Sequence, residues 1–74
     1  AIGGSLTAIY NAANEVAVHA FIENQITFPE IVDTIEATIT KMGSSAPTVL
    51  RDLDDVTAIE DDARRIARES IRKA

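Results

Sequence analysis

His19 is the only histidine in this 74-residue sequence, and carboxylates stand four residues to either side of it, at Glu15 and Glu23. On a helix, Glu-x3-His-x3-Glu aligns three candidate metal ligands, because residues four apart are surface neighbours. Without further context the row is a weak signal, and an exposed imidazole beside two solvated carboxylates accounts for it more simply. The acidic runs DLDD (Asp52 to Asp55) and EDD (Glu60 to Asp62) raise the question of calcium. An EF-hand loop needs alternating oxygen ligands, a glycine at its sharp turn and a closing bidentate glutamate, and that pattern is missing. Carboxylates complementing the positive pole at a helix start explain both runs better. The RRIARESIRKA tail offers arginines to a phosphate or a membrane surface, but acidic residues lie one turn away, which reads as a salt-bridged solvated face. Gly3-Gly4 and Gly43-Ser44 lack the strand-then-helix setting of a phosphate loop. With one histidine and no cysteine, no nucleophile-plus-base set can be assembled. No catalytic, cofactor-binding or metal-binding residue is assigned.

One stretch is left without a simple account. NAANEVAVHAF (Asn11 to Phe21) places Asn11, Asn14 and Glu15 inside an alanine- and valine-rich helical run. Asparagine is a mediocre helix former whose amide competes for backbone hydrogen bonds. The three polar heads project from one side, adjacent to the apolar stripe. Leaving a buried amide without a partner costs about 1–3 kcal/mol, so these groups meet either water or matched partners on a docking face. The residues alone leave both options open.

The elements that would hold these residues follow from periodicity. Leu6, Ile9, Ala13, Val16, Ala17, Ala20 and Phe21 recur at helical spacing, predicting a helix from about Leu6 to Glu23 with Ser5 as N-cap and Gly3-Gly4 as its approach. Asn24-Gln25 closes it, with Asn suited to a left-handed C-terminal position. Thr27 followed by Glu30 forms a capping box, Pro29 falls near the first helical position, and Ile26 with Ile31 makes a hydrophobic staple. The second helix presents Phe28, Ile31, Val32, Ile35, Ile39 and Met42 on one face, sets Glu30, Asp33, Glu36 and Lys41 on the other, and ends at Gly43. Ser44 to Pro47 reads as a loop and Thr48 to Arg51 as an extended connector. LDDV (Leu53 to Val56) reads as a helical turn before a last helix, Ile59 to Lys73, whose inner face is Ala63, Ile66, Ala67, Ser70 and Ile71. Acids at Glu60 to Asp62 and bases at Arg68, Arg72 and Lys73 complement its dipole. Glu60–Arg64, Asp61–Arg65 and Arg65–Glu69 are the expected pairs along it. The fold class is all-α: a small bundle of three main helices with a short fourth turn.

Composition bounds the rest. Residues 1–74 make a single small domain with a modest core. The absence of cysteine excludes disulfide staples and thiolate metal sites. A formal charge of −5 argues against nucleic acid, and Tyr10, Phe21 and Phe28 are too few for a base-stacking platform. No apolar run approaches the ~20 residues of a membrane span, and no signal peptide is present. The start AIGGSLTAIY, without methionine, reads as a piece excised from something longer.

NAANEVAVHAF resembles a stretch of the C-terminal helical domain of the 1-deoxy-D-xylulose 5-phosphate reductoisomerase family. Ile26, Phe28 and Ile31 match that family's next segment, and Asp55-Val56 with Ala63-Arg64 match its last, so the resemblance runs from about Ala8 to the end. Tyr10, His19, Ile22 and Glu60 depart from the family's usual residues, and Glu60 weakens the N-cap expected at that position. The resemblance implies a bacterial cytoplasmic homodimer. Its NADPH-binding and central catalytic domains, with Mg²⁺ or Mn²⁺, convert deoxyxylulose phosphate to methylerythritol phosphate in non-mevalonate isoprenoid biosynthesis. The metal-binding, phosphate-binding and dinucleotide motifs belong to those two domains, which are absent here. No cofactor is therefore expected on this piece, and its partners are its own missing domains. That setting favours interdomain docking through Asn11, Asn14 and Glu15. A free-standing helical interaction module is the alternative.

Overall fold

The computed structural model describes residues 4–43 and 53–73. Three helices make up the architecture: α1 (Gly4–Ile22), α2 (Phe28–Gly43) and α3 (Leu53–Lys73). All three pairs are in contact, and α1 packs more extensively on α2 and α3 than those two pack on each other. The all-α bundle expected from periodicity is what forms. The loop and connector expected at 44–51 lie outside the described residues.

Alanine sets the α1–α3 spacing. Ala8 and Ala12 of α1 share a cluster with Ala63 and Ile59 of α3, and Ala13 shares one with Ala67. Side chains this small let two helices approach closely where they meet. From α2, Met42 and Ile35 close the two clusters, while Ala17, Ala20 and Ile26 form a third at the α1–α2 turn.

That turn is specified in detail. Asn24 takes φ 60°, the left-handed position expected of it. Its N–H donates to the Phe21 carbonyl at 3.0 Å and the Gln25 N–H to the Ala20 carbonyl at 2.8 Å, the paired bonds of a Schellman C-cap. Three residues later the glutamate arm of the capping box forms, as the Thr27 N–H donates to Glu30 Oε1 at 2.7 Å. That bond, with the Thr27 hydroxyl second, holds the Glu30 carboxyl below the usual carboxylate range. Ile26 is buried and Ile31 packs against its cluster, completing the staple.

Several expectations are corrected. The helix begins at Gly4, so Ser5 lies within the first turn of α1 rather than ahead of it, and it is buried. Leu6 and Phe21 are exposed rather than core, and Ala8 and Ala12 are core instead. In α2, Phe28 and Val32 are exposed while Thr34 and Thr38 are buried. Thr38 Oγ1 donates to the Thr34 carbonyl at 2.8 Å, so its hydroxyl is satisfied within the helix and its methyl packs as valine's would. No separate fourth turn exists among the described residues, because Leu53–Val56 is the start of α3 itself. The acids of the first turn are therefore Asp54 and Asp55. Glu60 lies two turns inside, where the backbone donors already have helical acceptors and nothing is left to cap.

Candidate functional site

Residues four apart on a helix form rows, and α1 divides into rows of different character. Ala8, Ala12, Val16 and Ala20 are buried, as are Ser5, Ile9, Ala13 and Ala17 beside them. Thr7, Asn11, Glu15 and His19 form an exposed polar row. The remaining row is Leu6, Tyr10, Asn14, Val18 and Ile22. It is apolar apart from Asn14, yet Leu6 is 52%, Tyr10 49%, Val18 36% and Ile22 66% exposed.

The NAANEVAVHAF stretch is thereby resolved into separate positions. Asn11 is exposed on the polar row; Asn14 is half-buried in the middle of the apolar one. Neither amide makes a side-chain hydrogen bond among the described residues. Glu15 is engaged within the domain: its Oε2 accepts from Arg64 Nε of α3 at 3.1 Å. Arg64 also holds Asp61 Oδ1 at 3.1 Å and approaches Glu60 Oε1 at 3.9 Å. The hydrogen bond to Glu15 leads the causes that raise the Arg64 pKa. Because Arg64 takes Asp61, the expected Asp61–Arg65 pair does not form; Arg65 reaches Asp62 and Glu69, each at 3.7 Å.

His19 lies on the rim of a shallow groove between α1 and α3, together with Glu15, Gln25, Arg68 and Arg72, over a floor of Val16, Ala20 and Ile71. Among the described residues no group of three or more His, Asp or Glu side chains is placed to hold a metal ion. Glu15, the first carboxylate of the candidate row, is turned to Arg64.

Sequence reasoning about single stripes missed Tyr10, Val18 and Ile22 as a surface. A signal for it was present, since Glu15 is the only formally charged residue in the 19 residues of α1. Apart from its Thr7–Asn11–Glu15–His19 row α1 is largely apolar, whereas the α2–α3 pair covers it on one side only. Phe21 continues the open surface onto α2, where its ring meets Phe28 edge-on with centroids 5.8 Å apart.

Comparison with known families matches residues 1–66 to the DXP reductoisomerase C-terminal domain. The chain belongs to that family. The reductoisomerase of Burkholderia multivorans is 49% identical over 72 residues, which cover 97% of this chain and 17% of the relative. That of Rhodospirillum centenum is 46% identical over 69 residues, covering 93% of this chain and 16% of the relative. The chain thus spans about a sixth of the length of the curated relatives it matches. No solved structure matches it. The resemblance drawn from NAANEVAVHAF is the family found. Among the described residues no helix is long and apolar enough to cross a membrane.

Proposed function

We propose that these 74 residues serve as the helical C-terminal domain of an intact DXP reductoisomerase, bracing the enzyme without entering its chemistry. In this reading the full polypeptide converts 1-deoxy-D-xylulose 5-phosphate to 2-C-methyl-D-erythritol 4-phosphate as a homodimer in the bacterial cytoplasm. NADPH and Mg²⁺ or Mn²⁺ are held by domains outside this chain. The observation that carries the reading is end-to-end: 97% of the chain aligns at 49% identity to one part of a much longer reductoisomerase. Asn11, Asn14 and Glu15 are proposed to contribute to docking on the rest of the protomer. Two amides without side-chain partners, one of them half-buried in an open apolar row, support that role. For Glu15 the contact with Arg64 fixes the carboxylate at the edge of the same face.

The test is NADPH oxidation by the parent polypeptide with deoxyxylulose phosphate and Mn²⁺, beside a form that ends just before Ala1. Turnover in the intact protein, with a truncated form that turns over but melts earlier, is the expected outcome. A folded truncation without turnover would assign the helices a part in shaping the active site. An inactive intact protein would remove the reductoisomerase reading and favour a free-standing interaction module.

A further inference from the structure

We propose that the groove between α1 and α3 binds a phosphate monoester with a short apolar body, its phosphate held by Arg68 and Arg72 with His19 and Gln25. This goes beyond the role of a brace and rests on the geometry of this domain alone.

Charge points to an anion. The RRIARESIRKA tail is salt-bridged only in its first half, where Arg64 and Arg65 are held by carboxylates of α1 and α3. Arg68 and Arg72 make no ion pair among the described residues. The sequence supplies the reason. Residues three and four away from Arg68 are Arg64, Arg65, Ile71 and Arg72, so no carboxylate is within helical reach. Glu69, three before Arg72, is set against Arg65 instead. Two unopposed guanidinium groups one turn apart therefore line the groove, in a domain whose formal charge is −5. Glu15 is the one carboxylate among the lining residues, and Arg64 takes it up at 3.1 Å.

The donors select the kind of anion. Guanidinium forks match phosphate oxygens, and two of them balance the nearly two charges of a phosphate monoester at neutral pH, where a carboxylate brings one. From the α1 side, His19 adds an imidazole N–H and Gln25 an amide N–H. The floor selects the rest of the molecule. Val16, Ala20 and Ile71 offer apolar surface between the polar walls, which a bare phosphate would leave to water. The groove holds about 570 Å³, within the range of about 300–1,000 Å³ typical of small-molecule sites.

Phenyl phosphate is the probe, with benzoate and inorganic phosphate beside it. Each is titrated into the parent polypeptide carrying isotopically labelled isoleucine and valine methyl groups, and NMR follows the Val16 and Ile71 signals on the floor. Phenyl phosphate should shift both signals saturably, and benzoate and inorganic phosphate should bind about fivefold or more weakly. Arg68→Gln combined with Arg72→Gln should weaken phenyl phosphate about tenfold or more. Arg65→Gln, whose guanidinium is paired with Asp62 and Glu69, should leave binding unchanged. These arginines are exposed, and an unmoved signal from the buried Ile9 verifies that each variant keeps its core. No saturable shift of Val16 and Ile71 would overturn the proposal. So would a double variant that binds as the wild type does. Benzoate binding as tightly would make the site one for carboxylates, and inorganic phosphate doing so would remove the apolar floor from recognition; either result overturns the assignment.

Discussion

Helices α1 and α3 are of similar length and pack on each other through alanines, yet their outer faces are opposites. The outside of α3 is a lattice of charge in which Arg64 and Arg65 each reach more than one carboxylate. The outside of α1 carries leucine, tyrosine, valine and isoleucine, with Glu15 as its one formal charge. A charged outer face is built for water. An apolar one is built for more protein, because burying such side chains recovers about 1.5–3 kcal/mol each that solvent exposure forfeits. That contrast in surface chemistry is the support for the proposed docking of α1 on the rest of the protomer.

The sharpest way to break this contrast sets two isoleucines of α1 against each other. Ile9 is 1% exposed, and Ile9→Ala should cost about 2–5 kcal/mol in chemical denaturation of the short chain. Ile22→Ser should fall within about 0.5 kcal/mol of wild type there, but cost about 1 kcal/mol or more in the parent polypeptide. A small effect of Ile22→Ser in both forms would leave the outer faces of α1 and α3 solvated alike.

A middle-sized effect is expected where α1 ends. Asn24→Ala forces an ordinary L-residue into the left-handed position and should destabilise by about 1 kcal/mol, seen as a lower Tm. Asn24→Gly should be tolerated, since glycine adopts that backbone freely.

Least of all should come from the ionic tie between the two helices. Arg64→Met removes the link to Glu15 and two pairs along α3, all at the surface. Its cost should be the smallest of the set and should shrink as salt is raised, because exposed pairs are screened. A loss rivalling that of Ile9→Ala, insensitive to salt, would show that charge and not alanine packing joins α1 to α3.

Much of this was legible in the sequence wherever a local pattern fixes local geometry. The glutamate arm of the Thr27–Glu30 box, the Ile26–Ile31 staple and the left-handed Asn24 were read from residue types at fixed offsets, and each forms as read. The errors came where burial depends on a neighbouring helix. Phe28 and Val32 look like core and are exposed, while Thr34 and Thr38, which periodicity assigns to neither face, are buried. Leu53 to Val56 reads as a helical turn ahead of the last helix. In the structure its aspartates are the acids of the first turn of α3. Of the candidate site, Asn11, Asn14 and Glu15 were singled out together, but they lie on two different rows and only Glu15 is held by the domain itself.

By itself the sequence determined the three main helices, the caps of the α1–α2 turn and the family, because periodicity, capping offsets and the NAANE stretch are properties of neighbouring residues. Tertiary structure alone decided which residues flanking those stripes are core: Ala8 and Ala12 are buried while Leu6 and Phe21 are not. A helix with apolar residues beyond one stripe has no unique inward edge until others pack on it. Here α2 and α3 took the alanine rows, where close approach is possible, and left the bulky row of α1 outside.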